Sequence, residues 1–376
     1  MAIPTTLPNR VIAQIRQSTL FLTNLQHFCM QNVSKENNNT IGFGIIGYGH
    51  IGRKHAQEIL KNPQTELKII ADINPLQLPQ NLPHVITTES VLELLSNQSI
   101  NVVTIATPNG THATLAIEAL KSGKNVVIEK PMALTTQECE RIIETSQITG
   151  KQVFCVMQNR FSPPSVWLKN LIENNQLGTI YQVMVQCWWN RDERYYIPNH
   201  WHGTLQHDGG ILFTQFSHFV DLLYWLLGDI NITHSRQHQF NHQTLTEFAD
   251  AGDFNFEFGI DRVGKGSFIY STSVFEKNFE SSITLIGEKG TVKVGGQYMN
   301  EIVYCNIQDY QLPDLPPTNQ PNNYGNYLGS ASNHEYVVQE VVNTLKFNAP
   351  IQTTAVDGKN VVSIIEQVHN LAKKNN

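Results

Sequence analysis

A glycine-rich segment after a short apolar run carries the clearest chemical signal in this sequence. The run is followed directly by Gly47-Tyr48-Gly49-His50-Ile51-Gly52, a G-x-G-x-x-G pattern at a predicted strand-to-helix turn. Glycines permit a tight turn and a close approach of backbone to a pyrophosphate, whose charge is stabilised by the N-terminus of the next helix. Asp72 ends the second apolar run, where an acid typically meets an adenosine ribose. The pattern therefore predicts that residues 47–52 and Asp72 bind a dinucleotide.

Asp72 also indicates which dinucleotide binds. A carboxylate at the ribose repels a 2′-phosphate, so the sequence favours NAD over NADP. Arg53, just after the third glycine, offers a phosphate a partner and keeps NADP as the less favoured choice. Two alternatives remain open: the glycines serve helix packing alone, or Asp72 is a turn residue before Asn74-Pro75.

Two polar segments follow other apolar runs and belong at the same edge of the predicted sheet. They are Thr107-Pro108-Asn109-Gly110-Thr111-His112 and Glu129-Lys130-Pro131. Ligands of open α/β sheets bind beyond the carboxyl ends of the strands. We therefore predict that the cofactor is contacted by Thr107, Pro108, Asn109, His112, Glu129 and Lys130.

Lys130 and His218 are the candidate catalytic pair. Lys130 follows a strand end at the predicted cofactor crevice, and His218 lies in the apolar segment 211–227, which reads as one buried helix; both side chains can carry a proton in a reaction. A histidine titrates at about 6.5 and a lysine at about 10.4, so we predict His218 as the general base and Lys130 as the cation at the reacting oxygen. The roles are exchangeable. The structural alternatives are a hydrogen-bonded buried histidine and an ion pair between Lys130 and Glu129.

The order of apolar runs and helical patterns predicts the fold. Strands alternate with helices from residue 41, which indicates a doubly wound parallel Rossmann sheet over residues 41–157. The helices are predicted near 51–61, near 89–96 after Thr88, near 112–122, and from a capping box of Thr135 and Glu138 to Gly150. Strand-like runs then dominate a second domain, residues 158–376, so we predict that sheet is its main element and that helices follow at 334–347 and 357–373. Residues 1–40 contain few acids and read as an extension or linker without ordered structure.

Composition excludes several classes of partner. The 376 residues include 26 basic and 32 acidic side chains, a net charge of −6, which disfavours nucleic acid and anionic membranes. The five cysteines lie far apart and contain no C-x-x-C, which fits reduced thiols in the cytoplasm rather than a disulfide framework or a thiolate metal site. The apolar runs are too short to cross a bilayer.

A loop rich in arginine and aromatic residues is the candidate substrate site. Asn190-Arg191-Asp192-Glu193-Arg194-Tyr195-Tyr196 is followed closely by His200-Trp201-His202-Gly203. A guanidinium binds phosphate or carboxylate in bidentate fashion, and the rings stack on sugar or base. We predict substrate contacts from Arg191, Trp201 and His202; the alternative is an exposed loop whose arginine and aspartate side chains neutralise each other. A zinc site of His200, His202, His207 and Asp208 is disfavoured, because no helix aligns these side chains, and we predict no metal.

Taken together, these motifs resemble the Gfo/Idh/MocA oxidoreductase family. The resemblance rests on Gly47-x-Gly49-x-x-Gly52-x-x-His55, Thr107-Pro108-Asn109-x-x-His112, Glu129-Lys130-Pro131, Gln158-Asn159-Arg160-Phe161, Trp201-His202-Gly203-Thr204 and Asp208-Gly209-Gly210 followed by His218-x-x-Asp221. It implies an NAD-dependent dehydrogenase of a sugar, cyclitol or sugar nucleotide, in which oxidation of a secondary alcohol needs a hydride acceptor, supplied by the nicotinamide, and a base for the hydroxyl proton. It also implies that the second domain is a mostly antiparallel open sheet and that the protein is a homodimer or homotetramer, and it adds Arg160 and Thr214 to the substrate-binding candidates.

One departure from the family pattern indicates a branch. Members with Asp-x-x-x-His pair that aspartate with the histidine, but Thr214 stands four residues before His218 here. The sequence is more similar to the branch that oxidises UDP-linked 2-acetamido sugars at C3, in which Lys and His are the candidate pair. Two other functions remain open: an NAD-dependent glycosidase of the same fold, and a non-catalytic dinucleotide sensor.

Overall fold

The first half of the chain folds as a six-stranded parallel sheet. The structure is a computed structural model that describes residues 40–76, 84–198, 200–325 and 327–375, so the predicted extension lies outside the described residues apart from Thr40. The sheet order is β3-β2-β1-β4-β5-β6, and every pair of neighbours is parallel. Its strands are β1 (Ile41–Ile46), β2 (Thr65–Ala71), β3 (Ile86–Thr88), β4 (Val102–Ile105), β5 (Asn125–Ile128) and β6 (Val153–Cys155).

Four helices accompany this sheet: α1 (His50–Lys61), α2 (Val91–Ser96), α3 (His112–Lys121) and α4 (Thr136–Thr149). Helix α4 begins with the predicted capping box of Thr135 and Glu138 and ends at Gly150 in the left-handed conformation. Helix α2 begins two residues later than predicted, and Thr88, expected to introduce it, is not its N-cap. Its N-cap is Ser90, whose hydroxyl accepts the Glu93 N–H, while the Thr88 hydroxyl accepts the Ser90 N–H.

The second sheet has seven strands in the order β13-β12-β11-β7-β10-β9-β8. Only the β7–β10 pair is parallel among these strands, so the predicted, mostly antiparallel architecture is confirmed. Strand β8 was not predicted, because only Ile230 and Ile232 are apolar in it and the six residues that follow them are polar. The strands are β7 (Ile180–Trp188), β8 (Ile230–His238), β9 (Ala251–Phe258), β10 (Gly264–Ser271), β11 (Glu280–Gly287), β12 (Gly290–Gly295) and β13 (Glu301–Ile307), with a small hairpin of β14 (Pro321–Asn323) and β15 (Leu328–Ala331).

The remaining helices connect the two sheets. They are α5 (Pro163–Glu173), α6 (Ile211–Thr214), α7 (Ser217–Leu227), α8 (His334–Phe347) and α9 (Ala355–Asn375). The apolar segment 211–227, expected as one helix, is divided at Gln215 and Phe216. Helix α8 packs against α1, and α9 packs against α4, β6, α7 and β8, so the chain returns from the second sheet onto the first.

Two apolar clusters stabilise the described residues, one on each face of the first sheet. The larger continues through α9 and α7 into the second sheet, and the smaller lies between β1, α1 and α8. Burial of this much apolar area is the dominant favourable term in folding. None of the described helices combines the length and hydropathy needed to span a bilayer.

Candidate active site

The glycine-rich loop lies at the carboxyl end of β1, on the wall of a cleft of about 1160 Å³ between the two sheets. A Cβ at Gly52 would lie 2.0 Å from the Gly47 carbonyl oxygen, and Gly47 itself has a φ of +90°. A Cβ at Gly49 would meet nothing within 4 Å, because this residue faces open space in the cleft. The first and third glycines therefore permit the turn, and the second leaves room for a ligand backbone at the start of α1, as a dinucleotide requires.

The loop is held in place by Asp72 at the end of β2. Its Oδ2 accepts the Tyr48 N–H at 2.7 Å, and its Oδ1 accepts the Asn74 N–H at 2.9 Å. Asp72 lines the cleft together with Gly47, Gly49, His50 and Ile51. The turn and ribose interpretations are thus compatible, since one carboxylate can serve the loop, the turn and a ligand hydroxyl. Tyr48 and Gly52 support the loop from behind the cleft surface.

Arg53 does not line the cleft. Its Nε donates to the Tyr48 carbonyl oxygen at 3.3 Å, and its guanidinium lies 5.2 Å from the centre of the Tyr48 ring. Arg53 therefore does not favour NADP, because its side chain is held against the back of the loop and is not placed to bind a phosphate in the cleft.

The segments after β4 and β5 meet through His112. This imidazole is fully buried between two carbonyl oxygens, with Nδ1 2.8 Å from that of Pro131 and Nε2 2.9 Å from that of Thr107. Burial lowers the pKa of His112. Thr107, Pro108, Asn109 and His112 all line the cleft, so His112 fixes the two predicted cofactor segments relative to each other.

Glu129 also lines the cleft, but its carboxylate is directed at two histidines. Oε1 lies 2.8 Å from His55 Nε2 and 3.5 Å from His334 Nε2, and all three residues are buried. Burial acts to raise the pKa of Glu129, but the interactions with His334 and His55 outweigh it and hold the pKa well below its usual range. This cluster is not visible in the sequence, because its two histidines come from α1 and α8, which are far apart along the chain.

Lys130 does not pair with Glu129. Its Nζ donates to the Thr214 carbonyl oxygen at 2.6 Å, at the end of α6 in the second half of the chain. Burial lowers its pKa to about 8. The amine is therefore close to its titration midpoint at mildly alkaline pH, where a proton carrier works best.

His218, at the start of α7, lines the same cleft as Lys130. The Gln158 side-chain amide donates to its Nε2 at 3.4 Å. Burial lowers the pKa of His218 well below its usual range, and the charge of Lys130 adds to this effect. The ring is therefore neutral, which suits it as a hydrogen-bond partner and makes it a weaker base than the sequence analysis assumed.

Arg191 is the buried cation of the second half of the cleft. It is 2% exposed, and its guanidinium lies 4.9, 5.3 and 4.8 Å from the ring centres of Trp189, Tyr195 and Tyr327. Its hydrogen bonds go to neutral acceptors only: the Gln215 and Asn278 side-chain oxygens and the carbonyl oxygens of Asn190 and Leu328. Among the described residues, no carboxylate forms an ion pair with it.

Trp201 and His202 stack beside this cation. Their ring centres are 3.8 Å apart, and His202 lies 4.2 Å from the Tyr195 ring. Both line the cleft. Burial and the neighbouring positive charges lower the pKa of His202 to about 3, so it offers a neutral ring rather than a charge. The loop thus presents flat apolar surfaces next to one cation.

Arg160 corrects the sequence analysis, which assigned it to substrate. It is 4% exposed and does not line the cleft. Its Nη2 and Nε donate to the two oxygens of Asp221 at 2.6 and 3.0 Å, and Nη1 lies 3.5 Å from Asp357. Both acids come from helices, α7 and α9, so the arginine holds these helices together and has no donor left for a ligand in the cleft.

The class of protein follows from this geometry: a parallel sheet with a nucleotide loop, facing a second sheet across a cleft with a lysine and a histidine, defines a dinucleotide-binding oxidoreductase. Residues 41–157 match the Gfo/Idh/MocA profile, described as an oxidoreductase family with an NAD-binding Rossmann fold, and residues 166–293 match the Gfo/Idh/MocA C-terminal domain. The chain belongs to the Gfo/Idh/MocA family. The predicted family, fold, oxidoreductase class and NAD cofactor are thereby confirmed.

Two solved structures extend the similarity along the chain. The WlbA dehydrogenase from Bordetella pertussis, in complex with NADH and UDP-GlcNAcA, is 29% identical with a TM-score of 0.80, over 90% of this chain and 98% of that one. The WlbA dehydrogenase from Chromobacterium violaceum, in complex with the same two ligands, is 27% identical with a TM-score of 0.79, over 92% and 97% of the two chains.

Curated relatives match a smaller region. A glycosyl hydrolase family 109 protein of Shewanella baltica is 28% identical over 154 residues, which are 38% of this chain and 34% of the relative. An alpha-N-acetylgalactosaminidase of Shewanella oneidensis is 28% identical over 149 residues, or 36% and 32%. The chain spans about a third of the length of these curated relatives.

Proposed function

We propose that this protein oxidises a secondary alcohol of a UDP-linked 2-acetamido sugar acid with NAD as the hydride acceptor. The observation that carries the proposal is Arg191, a buried guanidinium without a carboxylate partner in a cleft that also contains Lys130 and His218. Burying an unpaired charge costs several kcal/mol, about as much as breaking a buried ion pair. A substrate anion at this place would recover that cost.

Arg160 supports this argument by contrast. It is buried to a similar extent, but two carboxylates of the chain itself neutralise it. Arg160, which holds helices together, is therefore surrounded by acids, whereas Arg191 is surrounded by neutral groups and aromatic rings. UDP-GlcNAcA, which is bound by the two WlbA dehydrogenases, carries both a diphosphate and a sugar carboxylate. We assign the carboxylate to Arg191 and the stacking of the uridine or sugar to Trp201, His202 and Tyr195.

The residues around the reacting carbon have distinct roles in the proposal. NAD supplies the acceptor for the hydride. Lys130 hydrogen-bonds the reacting hydroxyl and takes its proton, because its pKa of about 8 suits the task better than the low pKa of His218. The His218 ring orients the hydroxyl. This assignment exchanges the two roles of the sequence analysis. Thr214 contributes its carbonyl oxygen to hold Lys130.

Cofactor contacts are proposed for the residues at the ends of the strands. The loop of residues 47–52 holds the pyrophosphate, Asp72 holds the adenosine ribose, and the segments at Thr107–His112 and Glu129–Lys130 face the nicotinamide end. The fit is supported by the space at Gly49 and by the carboxylate of Asp72 at the cleft wall.

The proposal is tested by incubating the purified protein with NAD and following NADH absorbance. The substrate panel contains UDP-GlcNAcA, the matching neutral UDP-2-acetamido sugar, a free uronic acid, a free aldose and an inositol. We expect the highest kcat/KM with UDP-GlcNAcA. NADH formation fastest with a free sugar would contradict the substrate class. Release of sugar from an N-acetylgalactosaminide without net NADH would instead establish the glycosidase function of the curated relatives.

We further propose a cytoplasmic homodimer or homotetramer with a domain boundary at residues 157/158. The outer face of the second sheet supports association, since Met184 on β7 and Ile286 on β11 are exposed there. The boundary is supported by the end of the first sheet at Cys155. Light scattering of the purified chain measures its molar mass. A monomer at micromolar concentration would refute the oligomer.

A further inference from the structure

Asp208 is a buried carboxylate at the edge of the cleft with no basic side chain in contact. It is 1% exposed, and it forms no ion pair among the described residues. Its Oδ2 accepts the Gly203 N–H at 2.9 Å, and its Oδ1 is in close contact with the Thr214 hydroxyl. Because both oxygens accept hydrogen bonds, the anionic form fits this environment.

The direction of the Thr214 hydrogen bond is set by Asn109. The Asn109 side-chain amide donates to Thr214 Oγ1 at 2.9 Å and to the Asp208 carbonyl oxygen at 2.9 Å. The Thr214 hydroxyl therefore accepts from Asn109 and has its single proton left for Asp208, whose carboxylate Oδ1 is closer to Thr214 Oγ1 than its backbone carbonyl oxygen at 3.0 Å. The neutral Asn109 amide, in the turn after β4, thus begins a chain of hydrogen bonds that runs through the Thr214 hydroxyl to the Asp208 carboxylate.

The same threonine contacts Lys130 through its backbone. Its carbonyl oxygen accepts from Lys130 Nζ at 2.6 Å, so one residue connects the carboxylate to the ammonium. The charge of Asp208 acts on Lys130 through this short segment, in the same direction as Glu129 and against Arg191. Two charged groups, Glu129 and Arg191, face the pair, and the neutral titratable groups that face it are Tyr195, Tyr196, His112, His202 and His218.

We propose that Asp208 is a positioning residue for Lys130: through Thr214 it supplies a negative charge that keeps the amine basic and directed into the cleft. This inference rests on the proposed function for its consequence in catalysis, although the interaction itself is independent of any substrate. Burial raises the pKa of Asp208 to about 6, against the hydrogen bonds from Thr214 and Gly203 and the charge of Lys130. Asp208 is therefore ionised in the pH range in which Lys130 titrates.

Removal of this charge has a defined sign. An opposite charge nearby stabilises the protonated amine, so Asp208→Asn lowers the pKa of Lys130. We expect a decrease of about one pH unit, at the low end of the effect of a nearby opposite charge. In the plot of kcat/KM against pH, the rising limb that reports the neutral Lys130 amine moves by the same amount toward lower pH. Loss of a purely structural residue would reduce activity without moving the limb.

The experiment measures the Lys130 amine directly in the full chain. Trace acetylation at a series of pH values, followed by mass spectrometry of the peptide that contains Lys130, gives the titration midpoint without substrate or turnover. We expect a lower midpoint in Asp208→Asn than in the wild type. An unchanged midpoint in folded Asp208→Asn protein would overturn the proposal. This readout stays informative if the wild type forms no NADH with any substrate, an outcome that would refute the proposed function alone.

Two further variants complete the test. The double variant Asp208→Asn/Thr214→Asp places a carboxylate at residue 214, on the other side of the contact between residues 208 and 214. We expect the Lys130 titration midpoint to return toward that of the wild type. If Asp208→Asn does not fold, Thr214→Val replaces it. This variant removes the hydroxyl that donates to Asp208 at nearly constant side-chain volume. We expect the Lys130 titration midpoint to decrease by less than the decrease predicted for Asp208→Asn, and an unchanged midpoint would overturn the proposal.

Asp250→Asn is the matched control. Asp250 is equally buried and accepts the backbone N–H groups of Phe240, Asn241 and His242, but it also lies 3.0 Å from His242 Nδ1 and stands outside the hydrogen bonds that join Asp208, Thr214 and Lys130. We expect this variant to lower the melting temperature and to leave the Lys130 midpoint unchanged. A decrease in the control as large as that in Asp208→Asn would show a general effect of lost carboxylates and would overturn the proposal.

Discussion

Replacement of Arg191 by glutamine tests whether the buried guanidinium binds the acid of the substrate. A hydrogen bond to a charged group contributes about 1.5–3 kcal/mol, and 1.4 kcal/mol corresponds to a factor of ten. We therefore expect Arg191→Gln to reduce kcat/KM for UDP-GlcNAcA about 10- to 150-fold more than for the neutral UDP-2-acetamido sugar. The difference between the two substrates is the relevant quantity, since both share the UDP group and the ring.

The neutral substrate also controls for damage to the cleft. Arg191 donates hydrogen bonds to four neutral acceptors. Loss of these hydrogen bonds in Arg191→Gln disturbs the stacking of Tyr195 and Tyr327, and this damage affects every substrate. Arg194→Gln is the matched protein control, because this exposed arginine lies in the same loop and pairs with Asp192. We expect Arg194→Gln to affect the two substrates equally.

The assay follows NADH formation at substrate concentrations well below KM for the wild type, Arg191→Gln and Arg194→Gln, each with the acidic and the neutral UDP sugar and with a free uronic acid. An equal loss for the acidic and the neutral sugar nucleotide in Arg191→Gln would refute the assignment of the carboxylate. A loss that is equal for both UDP sugars and absent for a free uronic acid would place the diphosphate, rather than the acid, at Arg191.

Three further predictions address the cofactor, the packing and the proton. Asp72→Asn removes the charge at the ribose, so we expect NAD to bind about tenfold more weakly and NADP to gain relative to NAD, as measured by fluorescence titration; unchanged affinities for both would exclude Asp72 from the ribose. Arg160→Met leaves Asp221 buried without its partner, and we expect a loss of about 3–5 kcal/mol in the free energy of unfolding in urea; unaltered stability with lost turnover would return Arg160 to the substrate site. Because Lys130 is neutral above its pKa of about 8, kcat/KM should rise with pH through about 8, and this limb should be missing in Lys130→Met; a limb retained in that variant would assign the proton to another group.

The first sheet was predictable because its signals are local. Buried parallel strands are continuous apolar runs, and the glycines, the capping box and the strand-end polar segments are read directly from neighbouring residues. The short strand β3 at the sheet edge was missed, since three residues with partly exposed side chains carry no such run. The division of 211–227 at Gln215 was also missed, because an apolar segment does not reveal where its backbone turns toward a cleft.

The candidate site was predictable by residue type but not by partner. Lys130, His218, Arg191 and Trp201 all line the cleft, as their chemistry suggested. Arg160 has the same chemistry and was misassigned, because its partners on α7 and α9 are up to 197 residues distant in sequence. The histidine pair at Glu129 was invisible for the same reason, and the low pKa of His218 depends on burial that only the folded chain creates.

A structure of the complex with NAD and UDP-GlcNAcA tests the central claim most directly. The account predicts that the carboxylate of the sugar lies within hydrogen-bond distance of the Arg191 guanidinium, and that Lys130 Nζ and the His218 ring contact the hydroxyl of the carbon next to the nicotinamide. A sugar acid directed into solvent, or a reacting carbon out of reach of Lys130, would contradict it.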